Sequence, residues 1–115
     1  MHELSIAINI VEMAEEEAER LGGKVEAVHL KLGALSGVVK DALFASYEMA
    51  CEGTQLAGSK LVVEDIPVQV FCSVCRETRT LATIQHFCCP DCATPTSEIV
   101  QGKEIQVVAL EIGSQ

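Results

Sequence analysis

Four cysteines form two C-x-x-C pairs, Cys72 with Cys75 and Cys89 with Cys92, and thirteen residues separate the pairs. Each pair can form a tight turn whose two thiolates point the same way. Two such turns facing each other supply the tetrahedral sulfur ligands that Zn²⁺ prefers. Because four thiolates leave no open coordination position, a zinc ion here would be structural. A tetrathiolate iron site is the chemical alternative.

The other two cysteines fall outside this pattern. Cys88 directly precedes the second pair, but with Cys92 it would form a C-x-x-x-C spacing, so we place it outside the ligand set, where it could still compete. Cys51 follows Tyr47 and Ala50 at the end of a helical stretch. We expect it to be a small buried hydrophobic residue.

The amino terminus offers a second set of donors. The amine of Met1 with the backbone nitrogen and imidazole of His2 can close chelate rings around one ion, and nitrogens in a plane suit Ni(II) or Cu(II). The backbone nitrogen of Glu3, or a donor from elsewhere, could complete the square. A bulky His2 also disfavours removal of the initiator methionine, which keeps that amine on Met1. The alternative is a solvated chain end.

Composition restricts the partners. The 115 residues suit one domain, and 17 Asp and Glu against 8 Lys and Arg give a net charge of -9, which repels nucleic acid. Between Val68 and Gly102 the only basic residues are Arg76 and Arg79. No apolar run is long enough to span a bilayer, and the start lacks the basic region of a signal peptide. We expect a cytoplasmic protein with reduced cysteines.

The elements that must position these groups follow from periodicity. Helical spacing predicts one helix from near the amino terminus to Gly22 and a second one ending at Gly53, and alternation predicts a strand over 25–32. Further strand character covers 61–63 and 68–71, interrupted at Pro67, and 105–112. These patterns predict an α+β fold, a small three-stranded sheet with two helices plus an inserted zinc-ribbon-like module. The expected domains are 1–67 with 103–115, which would bind nickel, and 68–102, which would bind zinc.

Several segments together resemble one known family, the HypA/HybF hydrogenase maturation nickel metallochaperones. They are the start M-H-E-L-S, the segment L-G-A-L-S-G-V at 32–38, the two cysteine pairs with C-P-D-C at 89–92, and G-K-E at 102–104. The resemblance covers essentially the whole chain. It implies that Met1, His2 and Glu3 bind nickel and that Cys72, Cys75, Cys89 and Cys92 hold a structural zinc ion. It also implies delivery of nickel to the large subunit of [NiFe]-hydrogenase with a HypB-like partner GTPase, and some relatives serve urease maturation.

Two further histidines, His29 and His86, lie away from the amino terminus. His29 alternates to the polar side of its strand, and His86 precedes the second cysteine pair, where we favour a surface position over an auxiliary ligand.

We find no clear nucleophile with its base and no phosphate-binding G-x-x-x-x-G-K-[ST] loop, so we do not expect an enzyme, and any GTP-dependent step lies in a partner. The alternative function is a zinc-ribbon adaptor without nickel. A monomer and a homodimer both fit the sequence.

Overall fold

Two helices and six strands make up residues 2–113, which the computed structural model describes apart from the side chain of His2. The strands form two three-stranded sheets, in the orders β2-β1-β6 and β4-β3-β5. This confirms the predicted α+β class with two helices, one small sheet and a separate cysteine-bearing module. In chain order the elements are α1 (His2–Leu21), β1 (Lys24–Gly33), α2 (Lys40–Cys51), β2 (Lys60–Ile66), β3 (Gln69–Cys72), β4 (Glu77–Thr80), β5 (Ile99–Gln101) and β6 (Ile105–Gly113).

Helix α1 buries a face made mostly of small residues. It ends where expected, because Gly22 adopts a φ of 74° and both Gly22 and Gly23 donate to the carbonyl of Ala18. The apolar residues whose spacing indicates this helix include Leu4, Ile8 and Leu21, but all three are exposed. The buried face of α1 consists instead of Ala7, Ile10, Val11, Ala14 and Ala18. The small side chains allow α1 to pack closely against α2.

Helix α2 and strand β1 each bury their apolar residues. In α2 the buried residues are Leu43, Tyr47 and Cys51, at intervals of four, whereas Val39 is 61% exposed. The expected buried position of Cys51 is therefore confirmed. The Tyr47 hydroxyl lies 2.7 Å from the Ser59 hydroxyl, so its polar end is satisfied. In β1 the alternation holds from Val28 to Leu32.

The chain divides into two compact units, each made of separate segments. The first contains both helices and takes in the chain up to Leu30, Val38–Val63 and the chain from Val107. The second contains Lys31–Gly37 and Glu64–Gln106, and with them β3, β4, β5 and the four paired cysteines. The core of the second unit consists of Val68, Val70 and Leu81, with Leu35, Phe87 and Ile99 packed against it. The domain boundaries at 67/68 and 102/103 stay a prediction.

In the second unit, the L-G-A-L-S-G-V and G-K-E segments meet through their backbones. The nitrogen of Gly33 donates to the carbonyl of Glu104 over 2.7 Å, and the nitrogen of Leu35 donates to that of Gly102 over 2.7 Å. A Cβ atom at Gly33 would overlap the carbonyl of Gly102. This close approach explains the glycine at position 33.

Among the described helices, none is both long and apolar enough to cross a membrane.

Candidate metal centre

The sulfur atoms of Cys72, Cys75, Cys89 and Cys92 all lie within 4.8 Å of one another. The Sγ atoms of Cys72 and Cys92 are 3.5 Å apart, and those of Cys75 and Cys89 are 3.9 Å apart. A tetrahedral zinc ion with Zn–S bonds of about 2.3 Å requires sulfur atoms about 3.8 Å from each other. The observed separations bracket that value, so the four residues fit a zinc ion.

The first pair of cysteines closes the hairpin between β3 and β4. Cys72 is the last residue of β3 and pairs with Glu77, the first residue of β4. Within the turn, Arg76 has a φ of 58° and donates its backbone N–H to the carbonyl of Cys72 over 2.7 Å. The backbone nitrogen of Cys75 lies 3.4 Å from the sulfur of Cys72 and donates to it. The turn therefore brings both sulfurs to one side and directs an N–H group at one of them.

The second pair repeats this geometry without a β-hairpin. Ala93 has a φ of 64° and donates its N–H to the carbonyl of Cys89 over 2.8 Å, as Arg76 does to Cys72. The nitrogen of Cys89 in turn donates to the carbonyl of Thr94 over 2.8 Å. Left-handed backbone is costly for residues other than glycine, and here it occurs at the same position after each pair. Both pairs therefore form the same turn, as the C-x-x-C spacing predicts.

The thiols of the centre differ in their proton affinity. The hydroxyl of Thr94, 3.1 Å from the sulfur of Cys92, lowers the pKa of Cys92 to about 6 by donating to its thiolate. A hydrogen bond with Cys92 raises the pKa of Cys75 to about 12, and desolvation acts in the same direction. Four thiolates this close repel one another, so one is favoured as thiolate and another as thiol. A bound dication removes that repulsion, which is the electrostatic condition a zinc ion meets.

The remaining sequence-predicted residues lie outside this group. Cys88 is half-buried and is not among the four clustered sulfurs. His86 is exposed, as expected, in a run of five exposed residues, 82–86, that connects β4 to the second pair. His29 is half-buried on its strand and pairs with Glu111 of β6. Cys51 lies in the first unit, where its sulfur is 3.8 Å from the Ser59 hydroxyl.

The proposed amino-terminal nickel donors belong to the start of helix α1. Met1 and the side chain of His2 lie outside the described residues, so the nickel ligand set stays a prediction. Helix α1 begins at His2, which places the backbone nitrogens of His2 and Glu3 in its first turn, where N–H groups have no acceptor within the helix. The carboxylate of Glu3 accepts a hydrogen bond from the backbone nitrogen of Val39 over 3.0 Å.

Sequence reasoning missed two strands and one residue of this centre. Strands β4 and β5 carry no fully buried residue and show no apolar alternation, so pairing with β3 is what defines them. Arg79 of β4 contacts Asp91, which lies inside the second C-x-x-C pair. Its only signal in the sequence is that it is one of two basic residues between Val68 and Gly102.

Comparisons with known proteins match nearly the whole chain to one family. The family model described as "Hydrogenase/urease nickel incorporation, metallochaperone, hypA" matches residues 1–112. The chain is 51% identical to the hydrogenase maturation factor HypA of Chloroflexus aurantiacus, over 96% of this chain and 98% of that protein. It is 47% identical to the HypA of a Roseiflexus species, over 96% of this chain and 91% of that protein.

Two solved structures share the fold. The solution structure of the nickel metallochaperone HypA from Helicobacter pylori has a TM-score of 0.67 at 23% identity, covering 98% of each chain. A second solution structure, of a HypA protein, has a TM-score of 0.75 at 24% identity and covers 100% of this chain and 98% of that one. The sequence and family matches confirm the resemblance drawn from the motifs.

Proposed function

We propose a function from the premise that this chain belongs to the HypA family of hydrogenase maturation nickel metallochaperones. It carries Ni(II) at its amino terminus. With the help of a partner GTPase, it delivers this nickel to the large subunit of a [NiFe]-hydrogenase. The observation that carries the proposal is the extent of the family match, which runs over residues 1–112 and so includes both the M-H-E start and the cysteine pairs. The relatives named as hydrogenase maturation factors support this destination.

Nickel is the cargo, and its donors are the amine of Met1, the imidazole and backbone nitrogen of His2 and the backbone nitrogen of Glu3. Nitrogen donors in a plane suit Ni(II). A position in the first helical turn supports the use of backbone nitrogens, because losing those protons breaks no hydrogen bond within the helix. The engagement of the Glu3 carboxylate by Val39 supports a contribution from the backbone of Glu3 instead of its side chain.

Zinc is the structural ion, held by Cys72, Cys75, Cys89 and Cys92. When bound, it cross-links the two cysteine turns and neutralises the repulsion between their thiolates. The chain's own residues prepare this site. The two left-handed residues orient the sulfurs, the backbone N–H of Cys75 donates to the sulfur of Cys72, and the Thr94 hydroxyl donates to that of Cys92.

Nickel binding to untagged protein by equilibrium dialysis tests the proposal. We expect His2→Ala to weaken nickel binding by at least about tenfold, because it removes the imidazole and one chelate ring, while zinc content stays unchanged. His86→Ala is the matched control, since His86 is exposed and lies outside the proposed site. Equal affinity of His2→Ala and wild type would leave a zinc-ribbon adaptor as the better interpretation.

Delivery needs its own measurement. Nickel-loaded protein is incubated with a hydrogenase large-subunit precursor and a maturation GTPase, and nickel in the re-isolated precursor is counted. We expect transfer from wild type and none from His2→Ala. Nickel binding without transfer to this precursor would contradict the hydrogenase destination, and parallel transfer to urease maturation proteins would identify urease instead.

A further inference from the structure

We propose that Arg79 is the positively charged partner of the four-cysteine centre, where it bridges the two cysteine turns and stabilises the metal-loaded, anionic form. This rests on the proposed zinc site and concerns how firmly that site keeps its ion. Arg79 would be a positioning residue, because it acts through the thiolates without binding the metal.

The position of Arg79 joins two parts of the second unit that are distant in sequence. It belongs to β4, the strand that follows the first cysteine turn. Its Nε atom lies 2.9 Å from Oδ2 of Asp91, which stands between Cys89 and Cys92 in the second turn. Its Nη1 atom donates to Oε1 of Glu77 over 2.8 Å. The side chain is 22% exposed, so these contacts are partly shielded from solvent.

The guanidinium group is held beside ligands of both cysteine pairs. Asp91, which Nε contacts, stands between Cys89 and Cys92, and Glu77, which accepts from Nη1, pairs with Cys72 across the β3–β4 ladder. The Nε atom is buried and, among the described residues, has no well-aligned hydrogen-bond acceptor, although the Asp91 carboxylate is close. The two ion pairs, with Glu77 next to the first cysteine turn and with Asp91 inside the second, therefore hold the positive charge beside the centre.

The charge balance around the centre explains why such a partner matters. Four thiolates with one Zn²⁺ ion form a dianion, and the whole chain already carries a net charge of -9. Asp91 and Glu77 add two more negative groups beside it. Between Val68 and Gly102 the only other basic residue is Arg76, which is exposed in the first turn. Removing the Arg79 charge would leave the dianion facing carboxylates, so the zinc-loaded state would lose stability relative to the zinc-free state.

The test compares Arg79→Gln with Arg76→Gln, two changes that remove the same charge from the same unit. Zinc transfer to a chromogenic chelator gives the rate of zinc loss, acid titration gives the pH of half loss, and cobalt substitution gives the sulfur-to-metal charge-transfer band. For Arg79→Gln we expect zinc loss roughly 10-fold to 100-fold faster, half loss at higher pH and a shifted cobalt band. Arg76→Gln should match wild type in all three measurements.

Equal behaviour of the two Gln variants would overturn the proposal while leaving the zinc site intact. Absence of zinc from the wild-type protein would overturn both the zinc site and the role of Arg79, and this outcome is distinguishable from equal behaviour of the two variants. Should Arg79→Gln not accumulate as folded protein, Arg79→Lys and Arg76→Lys decide the matter, since Lys keeps the charge but not the planar arrangement of donors. Several-fold faster zinc loss from Arg79→Lys alone supports the bridge, and loss at the wild-type rate contradicts it.

Discussion

The Glu3 carboxylate accepts a hydrogen bond from the backbone nitrogen of Val39, 36 residues further along the chain. Val39 is the residue that precedes helix α2, and its extended backbone comes with no side-chain cap of its own. A negative group at this end of a helix is favoured by the helix dipole. The first turn of α1, which carries the proposed nickel donors, is thereby fastened to the start of α2.

Replacing Glu3 should separate this structural role from the nickel site. We expect Glu3→Ala to lower the free energy of unfolding by about 1 kcal/mol, as loss of a helix cap does, and Glu3→Gln to lower it less because the amide oxygen still accepts. Urea unfolding measures the effect, with the exposed Glu12→Ala on the same helix as control. Nickel affinity should fall less in Glu3→Gln than in His2→Ala, and an equal fall would make the carboxylate a ligand.

A tag fused before Met1 should abolish nickel binding and leave zinc in place. The fusion turns the terminal amine into an amide, which removes one donor and one chelate ring. Parallel nickel dialysis and zinc analysis of tagged protein, and of the same protein after traceless removal of the tag, measure both metals. Recovery of nickel binding after removal is expected. Nickel bound equally well by the tagged form would contradict the amine ligand.

Serine substitutions should distinguish the clustered cysteines from the other two. We expect Cys72→Ser and Cys89→Ser to lose zinc, with Cys88→Ser and Cys51→Ser as matched controls that keep it, because only the former remove members of the four-sulfur group. Zinc loss should increase amide hydrogen exchange in β3, β4 and β5 more than in α1 and α2, since metal binding and local folding are coupled. Unchanged zinc in Cys72→Ser would contradict the ligand assignment.

In the zinc-free protein, Cys92 should be the first thiol of the group to react with iodoacetamide as pH rises. Its pKa is lowered to about 6 from a usual value near 9 by the Thr94 hydroxyl, so the thiolate is present at neutral pH. Because the folded pKa lies below the unfolded one, the stability from this group is complete above about pH 9 and is lost as pH falls through 6. Thr94→Val should move alkylation to higher pH, measured by mass spectrometry of each cysteine peptide.

Local patterns predicted the elements whose burial follows one clear period. Strand β1 alternates from Val28 to Leu32, and α1 ends at Gly22, whose left-handed backbone lets Gly23 donate to the carbonyl of Ala18. The cysteine spacing predicted the four-sulfur cluster, because a C-x-x-C turn determines the direction of both its sulfurs. The strand alternation, the helix end and each cysteine turn depend on neighbours in sequence, and the two turns come together because four thiolates at this spacing suit one metal ion.

Features created by distant contacts were not predictable in this way. Nothing local to Arg79 indicates that Asp91 will lie beside it, and nothing local to Gly33 indicates that the Gly102 carbonyl will occupy the space of a side chain. The choice between Ile8 and Ile10 as the buried residue of α1 likewise depends on where α2 packs. In each case the partner comes from another segment of the chain.

The exposed run 82–86 offers a practical route for labelling a protein whose proposed nickel donors lie at its amino terminus. It lies between the two cysteine turns, whose sulfurs come within 4.8 Å of one another, so both ends of the intervening segment are already fastened. Lengthening a loop with fixed ends costs little, about 0.6 kcal/mol for each doubling of its length. We therefore expect that a short peptide epitope inserted between Thr83 and Ile84 would give a handle for purification and imaging and would leave both proposed metal sites unchanged.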